Sequence, residues 1–396
     1  MDSLTQIVLG AAVSEVSVGK KIGNRSIVWG GIAGTIPDLD IVSNLWMDPL
    51  DALSFHRGIS HSFLFAFIAA PLLGYLVHAL YQSKYHHIIA FVGWCLLFAG
   101  IGVPILLSGT SIIVKLLTMV MLGIIIWSVY KRYFIKEQRP TEASVKDWII
   151  LFFLAIVTHP ILDSFTTYGT QLFQPFSDYR VSFCNISVAD PMYTIPLIIS
   201  LVLMSRYAKE RSLRRILVWI GLGVSSLYMI FTLVNKSHIN HVFENSLIEN
   251  NIEYQRYMTS PTILNNVLWF CLAEREEEYI YGFYSIFDKS DKVELNRIPK
   301  NYHLLKANED DRVIKILNWF SNGYYTITDR KDGVLQINDM RFGMFENIAG
   351  KEDFIFRFGI QKANDGSYRL VDEQAGPPTK ERKKVFKQMW TRIKGV

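Results

Sequence analysis

Charge is scarce in this chain, and cysteine is scarcer. Charged residues make up 19% of the 396 positions and hydrophobic ones 50%, where a soluble domain carries about 25% charge. With a mean hydropathy of +0.20, that shortage argues against an ordinary soluble enzyme, which must hydrate its whole surface. Cys95, Cys184 and Cys271 lie far apart. They form no CxxC pair and no evident disulfide framework, so cysteine leaves the redox compartment open. The start, Met1-Asp2-Ser3, has no positive charge, and no cleavable leader is expected. Internal repeats and low-complexity stretches are missing too. The net charge is only +5, and its excess sits in short loops between apolar runs. That is a pattern of membrane topology, so no nucleic-acid partner is expected.

What the chain has in plenty is apolar runs, nearly all before residue 235. A helix needs about 20 apolar residues to cross the hydrocarbon core. Residues 62–80, 88–107, 111–130, 148–162 and 216–234 approach or meet that length, and 192–204 is a shorter run. Residues 4–18 and 26–36 are weaker and rich in glycine and alanine, which suits close helix packing. The expected fold is a polytopic helical membrane domain over 1–235, with about six to eight membrane helices. Basic residues orient it. Lys20, Lys21 and Arg25 form one group and Lys84 marks a second loop. Lys131, Arg132, Lys136, Arg139 and Lys146 form a third group; Arg206, Lys209, Arg211, Arg214 and Arg215 form a fourth. The positive-inside rule places all four in the cytoplasm. Alternation then puts the N-terminus, the loops around 37–61 and 164–191, and everything after Asn235 outside, in an inner-membrane protein.

Residues 236–396 read as a small soluble mixed α/β domain with an antiparallel sheet. Strands are expected near Tyr279, Gly323, Val334 and Phe354, with a helix over 311–320. The basic tail, 379–394, carries Val385, Phe386, Met389 and Trp390. It is read either as an amphipathic helix on a lipid surface or as a solvated terminal helix.

Three polar stretches fall at one membrane face of this topology. They are Pro37-Asp38-Leu39-Asp40, His56-Arg57-Gly58-Ile59-Ser60-His61-Ser62 and His159-Pro160-Ile161-Leu162-Asp163. His159 and Asp163, four apart, share one helix face. Asp38 and Asp40 point the same way if the segment is extended. Ser60 is expected to cap a helix with His61 in its first turn. Each stretch has a bland reading as well: a cap, a structural hydrogen bond, an interfacial cluster. Together at one face they favour a shared site. Imidazole and carboxylate suit Zn first, with Mn or Fe as alternatives. The expected metal ligands are Asp38, Asp40, His56, His61, His159 and Asp163. Six donors mean two ions, or some residues that orient the others. Asp40 is also counted as catalytic, with any one of the carboxylates a candidate general base, and Arg57 is the group that holds a phosphate or oxyanion. His78, His86, His87, His238 and His241 are read as interfacial or surface residues.

These stretches, with Met1-Asp2-Ser3-Leu4-Thr5-Gln6, resemble the membrane-bound metal-dependent hydrolase family, described as LexA-binding, inner-membrane-associated hydrolases. The resemblance covers roughly the first 235 residues and implies an integral membrane protein with a hydrolase site. Where members carry a histidine near the start, this chain has Gln6; Asp2 is the expected substitute. A more distant similarity of the HxxxD pattern to zinc-dependent phospholipases C points to a phosphoester or lipid-linked substrate. Two rival readings stand beside the hydrolase. One is a non-enzymatic protein with a structural or transport-related cation. The other makes the C-terminal domain the functional part. Helix interiors nearly free of charge, Lys115 excepted, favour an interfacial site over a transmembrane path.

Overall fold

The computed structural model describes residues 1–135, 141–305, 310–346, 352–377 and 380–395. Lys136, Arg139 and the first residue of the tail, Thr379, lie outside these.

Five helices among the described residues are long and apolar enough to cross a membrane, fewer than the six to eight expected. They are α4 (Phe63–Gln82), α5 (His86–Leu107), α6 (Ile112–Tyr130), α7 (Val145–Ser164) and α9 (Ser212–Glu249); α8 (Pro191–Met204) is apolar but shorter. The two weak N-terminal runs form α1 (Ser3–Ile22) and α2 (Arg25–Thr35). At about 1.5 Å per residue α2 is half the thickness of the core. Helix α1 is long enough, but Thr5, Gln6, Ser14 and Glu15 are buried along it, so its polarity is spent inside the protein. It packs between α2, α7, α8 and α9. Its contact with α2 is backbone-close: a Cβ on Gly10 would lie 2.4 Å from the Gly30 carbonyl, and one on Gly34 2.5 Å from the Gln6 carbonyl. Only glycine permits that approach. Deep between α1 and α9, Glu15 accepts from Arg214 at 2.6 and 2.7 Å and from Ser26.

Helix starts are written in the sequence. Ser62 accepts from the Phe65 amide to cap α4. Ser144 and Asp147 form a capping box on α7. Asp190 caps α8, with Pro191 at its first position. Basic loops gather at one end of the bundle: Lys21 pairs with Asp147 at 2.7 Å, Lys209 reaches the Lys21 carbonyl at 3.1 Å, and Arg214 reaches Asn24 at 2.6 Å. The motif-bearing segments lie at the other end. There α2 runs into a 3-10 helix, Pro37–Leu45, followed by α3 (Pro49–Phe55) and a short turn, Ile59–His61.

The expected boundary at 235 falls inside α9, which continues to Glu249. Its last turns carry Ile239, Val242, Phe243 and Leu247 on one face, packed against a β-sheet. The antiparallel sheet expected in the C-terminal domain is two sheets, with helices beside them. Both are all-antiparallel and four-stranded, in simple chain order. The first contains β1 (Arg256–Pro261), β2 (Leu268–Glu274), β3 (Glu278–Ser285) and β4 (Asn296–Pro299). After α10 (Arg312–Phe320), the second contains β5 (Tyr325–Asp329), β6 (Leu335–Glu346), β7 (Glu352–Lys362) and β8 (Tyr368–Ala375). Strand β2 is buried throughout. Trp269, Cys271 and Ala273 face the end of α9, while Phe270 and Leu272 face Met340, Met344 and Phe354 of the second sheet's neighbourhood. The tail forms α11 (Arg382–Ile393), tied down by Arg392–Asp288 at 2.6 Å and Ser285–Ile393 at 2.7 Å, with Phe386 and Trp390 exposed.

This domain caps the motif end of the bundle. Leu50 of α3 and Tyr168 of the loop after α7 join the core formed by Ile314, Leu317, Phe320 and Ile327. Asn266 donates to the Asn185 carbonyl at 2.7 Å, and Lys236 bridges the Cys184 and Thr259 carbonyls.

Candidate metal centre

Four of the expected ligands meet. Asp38, His61, His159 and Asp163 each offer one donor atom, all within 4.8 Å of one another. His61 Nε2 lies 3.5 Å from Asp38 Oδ1 and 3.5 Å from Asp163 Oδ2; His159 Nε2 lies 3.4 and 3.5 Å from the same two oxygens. Donors about 2.1 Å from a central ion in a tetrahedron are about 3.4 Å apart, so these four edges fit Zn-sized coordination. His61 Nε2, His159 Nε2 and Asp163 Oδ2 are buried and have no hydrogen-bond partner among the described residues. Buried polar atoms are otherwise almost always paired, and a cation would satisfy all three at once. The Asp38 side chain alone is part-exposed, at 25%, which gives the group one open side.

Each donor is aimed from behind. His159 Nδ1 lies 2.6 Å from the Gly34 carbonyl. A carbonyl only accepts, so Nδ1 carries the proton and Nε2 presents its lone pair. His61 Nδ1 is 3.0 Å from Ser60 Oγ, which itself donates to Asp40 Oδ2 at 3.0 Å. That relay fixes the same tautomer on His61. Asp163 Oδ1 accepts from Gln6 Nε2 at 2.9 Å and from the Met1 amino group, leaving Oδ2 for the centre.

The remaining expected residues sit differently. Asp38 and Asp40 are not extended. Pro37 opens a 3-10 turn, and in that geometry residues two apart point to different sides. Asp38 enters the group and Asp40 stands behind it. Asp40 accepts from His56 Nδ1 at 2.8 Å, from the Arg57 amide at 2.9 Å and from Ser60. Burial alone would raise its carboxyl; hydrogen bonds with His56 and His61 outweigh this and hold it below the usual carboxylate range. Asp38 is lowered likewise, against its burial, by His159 and His61. His56 is outside the four-residue group, with 30% of its side chain exposed. Arg57 is buried, with φ at 59° in the left-handed region. Its Nε lies 3.2 Å from Asp163 Oδ2, and Nη1 reaches Thr166 Oγ1 and the Gly169 carbonyl. Ser62, not Ser60, caps α4, and His61 lies before that helix. Asp2 caps α1 through Thr5 and does not replace a ligand; Gln6 instead orients Asp163. His78, His86, His87, His238 and His241 lie outside the group.

Sequence reasoning did not single out Gly34 or Tyr168. A backbone acceptor leaves no trace in residue type. Tyr168 follows the HxxxD stretch by five positions, in a loop with no periodicity to mark it.

The family model described as YdjM inner membrane protein matches residues 1–108 and 111–239, more than half of the chain. No curated protein and no solved structure matches it.

Proposed function

The chain belongs to the YdjM inner membrane protein family, and we propose that it is a membrane-embedded metal-dependent hydrolase acting on a phosphoester carried by an amphiphile. The observation that carries this reading is the set of three buried donor atoms without a hydrogen-bond partner among the described residues, gathered with Asp38 so that His-to-Asp donor distances are 3.4–3.5 Å. Asp38, His61, His159 and Asp163 would hold a divalent ion, zinc being the best fit to the donor set. When bound, such an ion lowers the pKa of coordinated water and polarises an ester oxygen.

The chain's own residues do the rest. Ser60 and Asp40 hold His61, Gly34 holds His159, and Gln6 holds Asp163. Arg57 supplies fixed positive charge beside Asp163 Oδ2, where an oxyanion would gain most from it. His56, anchored through Nδ1 by Asp40, has no hydrogen-bond partner on Nε2 among the described residues and would exchange a proton with the departing group. Beside Asp38, the 3-10 helix exposes Leu39, Ile41, Val42 and Leu45, and Trp46 is exposed directly after it. Such an apolar belt at a membrane boundary suits a lipid-like substrate. The charge distribution favours placing this end of the bundle, with the C-terminal domain, outside the cytoplasm.

The test is elemental analysis of the full chain in detergent, with turnover of bis(4-nitrophenyl) phosphate. Wild type is expected to hold about one ion per chain, as one tetrahedral group requires. His61→Ala combined with His159→Ala is expected to lose it, and His56→Ala to keep the ion but turn over more slowly. Unchanged metal content in the double variant overturns the reading.

A further inference from the structure

Arg180 lies in the loop between α7 and α8, against the C-terminal domain. Its guanidinium carbon is 4.4 Å from the centroid of the Tyr168 ring, 4.9 Å from that of Phe320 and 5.2 Å from that of Trp319. Tyr168 belongs to the same loop, and the other two to α10, so the group sits in the seam between them. Nη2 donates to the Tyr168 carbonyl at 2.5 Å. Nε and Nη1 are shut off from solvent and have no acceptor among the described residues.

Two further arginines stand close by. Arg57 lies 4.5 Å from the same Tyr168 ring and Arg341 5.2 Å from the Phe320 ring. Both are compensated, Arg57 by Asp163 at 3.2 Å and Arg341 by Asp339 at 2.6 Å. Among the described residues no carboxylate forms an ion pair with Arg180. A half-buried cation with two shielded, unmet donors and like-charged neighbours is costly unless an anion completes it. Burial and those neighbours draw its pKa down to about 10, so it remains charged at neutral pH.

We propose that Arg180 is an anion subsite that takes a phosphate group, presented by a phospholipid-like headgroup or by free phosphate, in the seam between the 165–190 loop and α10. Its Nε and an Nη match two phosphate oxygens, and the aromatic rings hold the fork in place. Tyr168 joins this subsite to the candidate centre, since its ring also lies 5.6 Å from that of His56. The subsite deepens the hydrolase reading, on which any role in turnover rests: the substrate carries an anchoring phosphate apart from the bond cleaved. Anion binding itself does not depend on that reading.

The test is thermal unfolding of the full chain in maltoside micelles, titrated separately with inorganic phosphate and short-chain phosphatidylglycerol. Wild type, Arg180→Met, Arg180→Lys and the His61→Ala, His159→Ala variant are compared, all treated with a chelator. Wild type and the histidine variant are expected to gain several degrees in Tm with at least one of the two ligands. A response to both identifies phosphate alone as sufficient; a response only to the lipid identifies a headgroup site. R180M removes the unmet charge and keeps the apolar stem, so it is expected to fold and not respond. R180K keeps the charge without the fork, and is expected to need at least several-fold more ligand. Metal content unchanged in the histidine variant before chelation, with a retained phosphate response, would sink the hydrolase and leave the subsite standing. Equal responses in wild type, R180M and R180K, or none in wild type, overturn the subsite.

Discussion

Asp40 accepts from His56, Ser60 and the Arg57 amide, and its Oδ2 lies 3.3 Å from His61 Nδ1. It also supports Arg57 in a backbone conformation that costs a non-glycine residue about 1–3 kcal/mol. Asp40→Asn keeps the shape and removes the charge that steadies His61. Such changes behind a ligand lower metal affinity by about 10- to 100-fold, so D40N is expected to bind the ion more weakly, not to lose it, in a competition titration against a chelating dye. Acid gives a second check. The folded carboxyl is lowered, so its contribution to stability is complete above the unfolded value of about 3.9 and is lost as pH falls through the folded value. The gap in Tm between wild type and D40N, measured without metal, is expected to hold from pH 7 to about 5 and to shrink only under stronger acid. A gap that closes near neutrality would contradict this assignment. The HxxxD spacing already paired His159 with Asp163 in the sequence. The D-x-D stretch misled, because Pro37 begins a turn and divides the two carboxylates between the centre and its support.

Helices α1 and α2 meet through glycine, and the Gly34 carbonyl between them positions His159. A methyl on Gly10 would strike the Gly30 carbonyl at 2.4 Å. Gly10→Ala is therefore expected to destabilise by about 1–3 kcal/mol and to weaken metal retention with it. Gly123 in α6 has nothing within 4 Å of an added Cβ, so Gly123→Ala is expected to be neutral or stabilising, by up to about 1 kcal/mol. Thermal unfolding of both variants in one detergent decides; equal losses would contradict the packing account. Long apolar runs made the five spanning helices legible. Helix α1 was harder to place because its buried face is polar. Strand β2 escaped because period-2 alternation needs one wet face, and its two faces meet α9 and the second sheet. The C-terminal strands near 279, 323, 334 and 354 were visible, but not that they form two separate meanders, which depends on pairing rather than propensity.

Across the whole molecule, the C-terminal domain covers the end of the bundle that carries the candidate centre. Leu50 is 3% exposed within the shared core. Leu50→Asp places an unpaired charge there and is expected to cost at least about 2 kcal/mol. Limited proteolysis is expected to cut the 165–190 loop faster in that variant, while unchanged cleavage would show that the domain does not depend on this contact. The charge pattern of the loops carries the topology, so an alkaline phosphatase fused after Val396 is expected to be active and a green fluorescent protein fused there dark. The reverse would place the candidate centre at the cytoplasmic face. We propose the enclosure of one ion by two histidines and two aspartates brought from three distant segments. X-ray absorption of the zinc-loaded full chain tests it most directly. Four protein nitrogen and oxygen neighbours and one water oxygen are expected at about 2.0–2.2 Å, with outer-shell scattering from two imidazole rings. Sulfur neighbours, a shell without imidazole, or no bound zinc would contradict it.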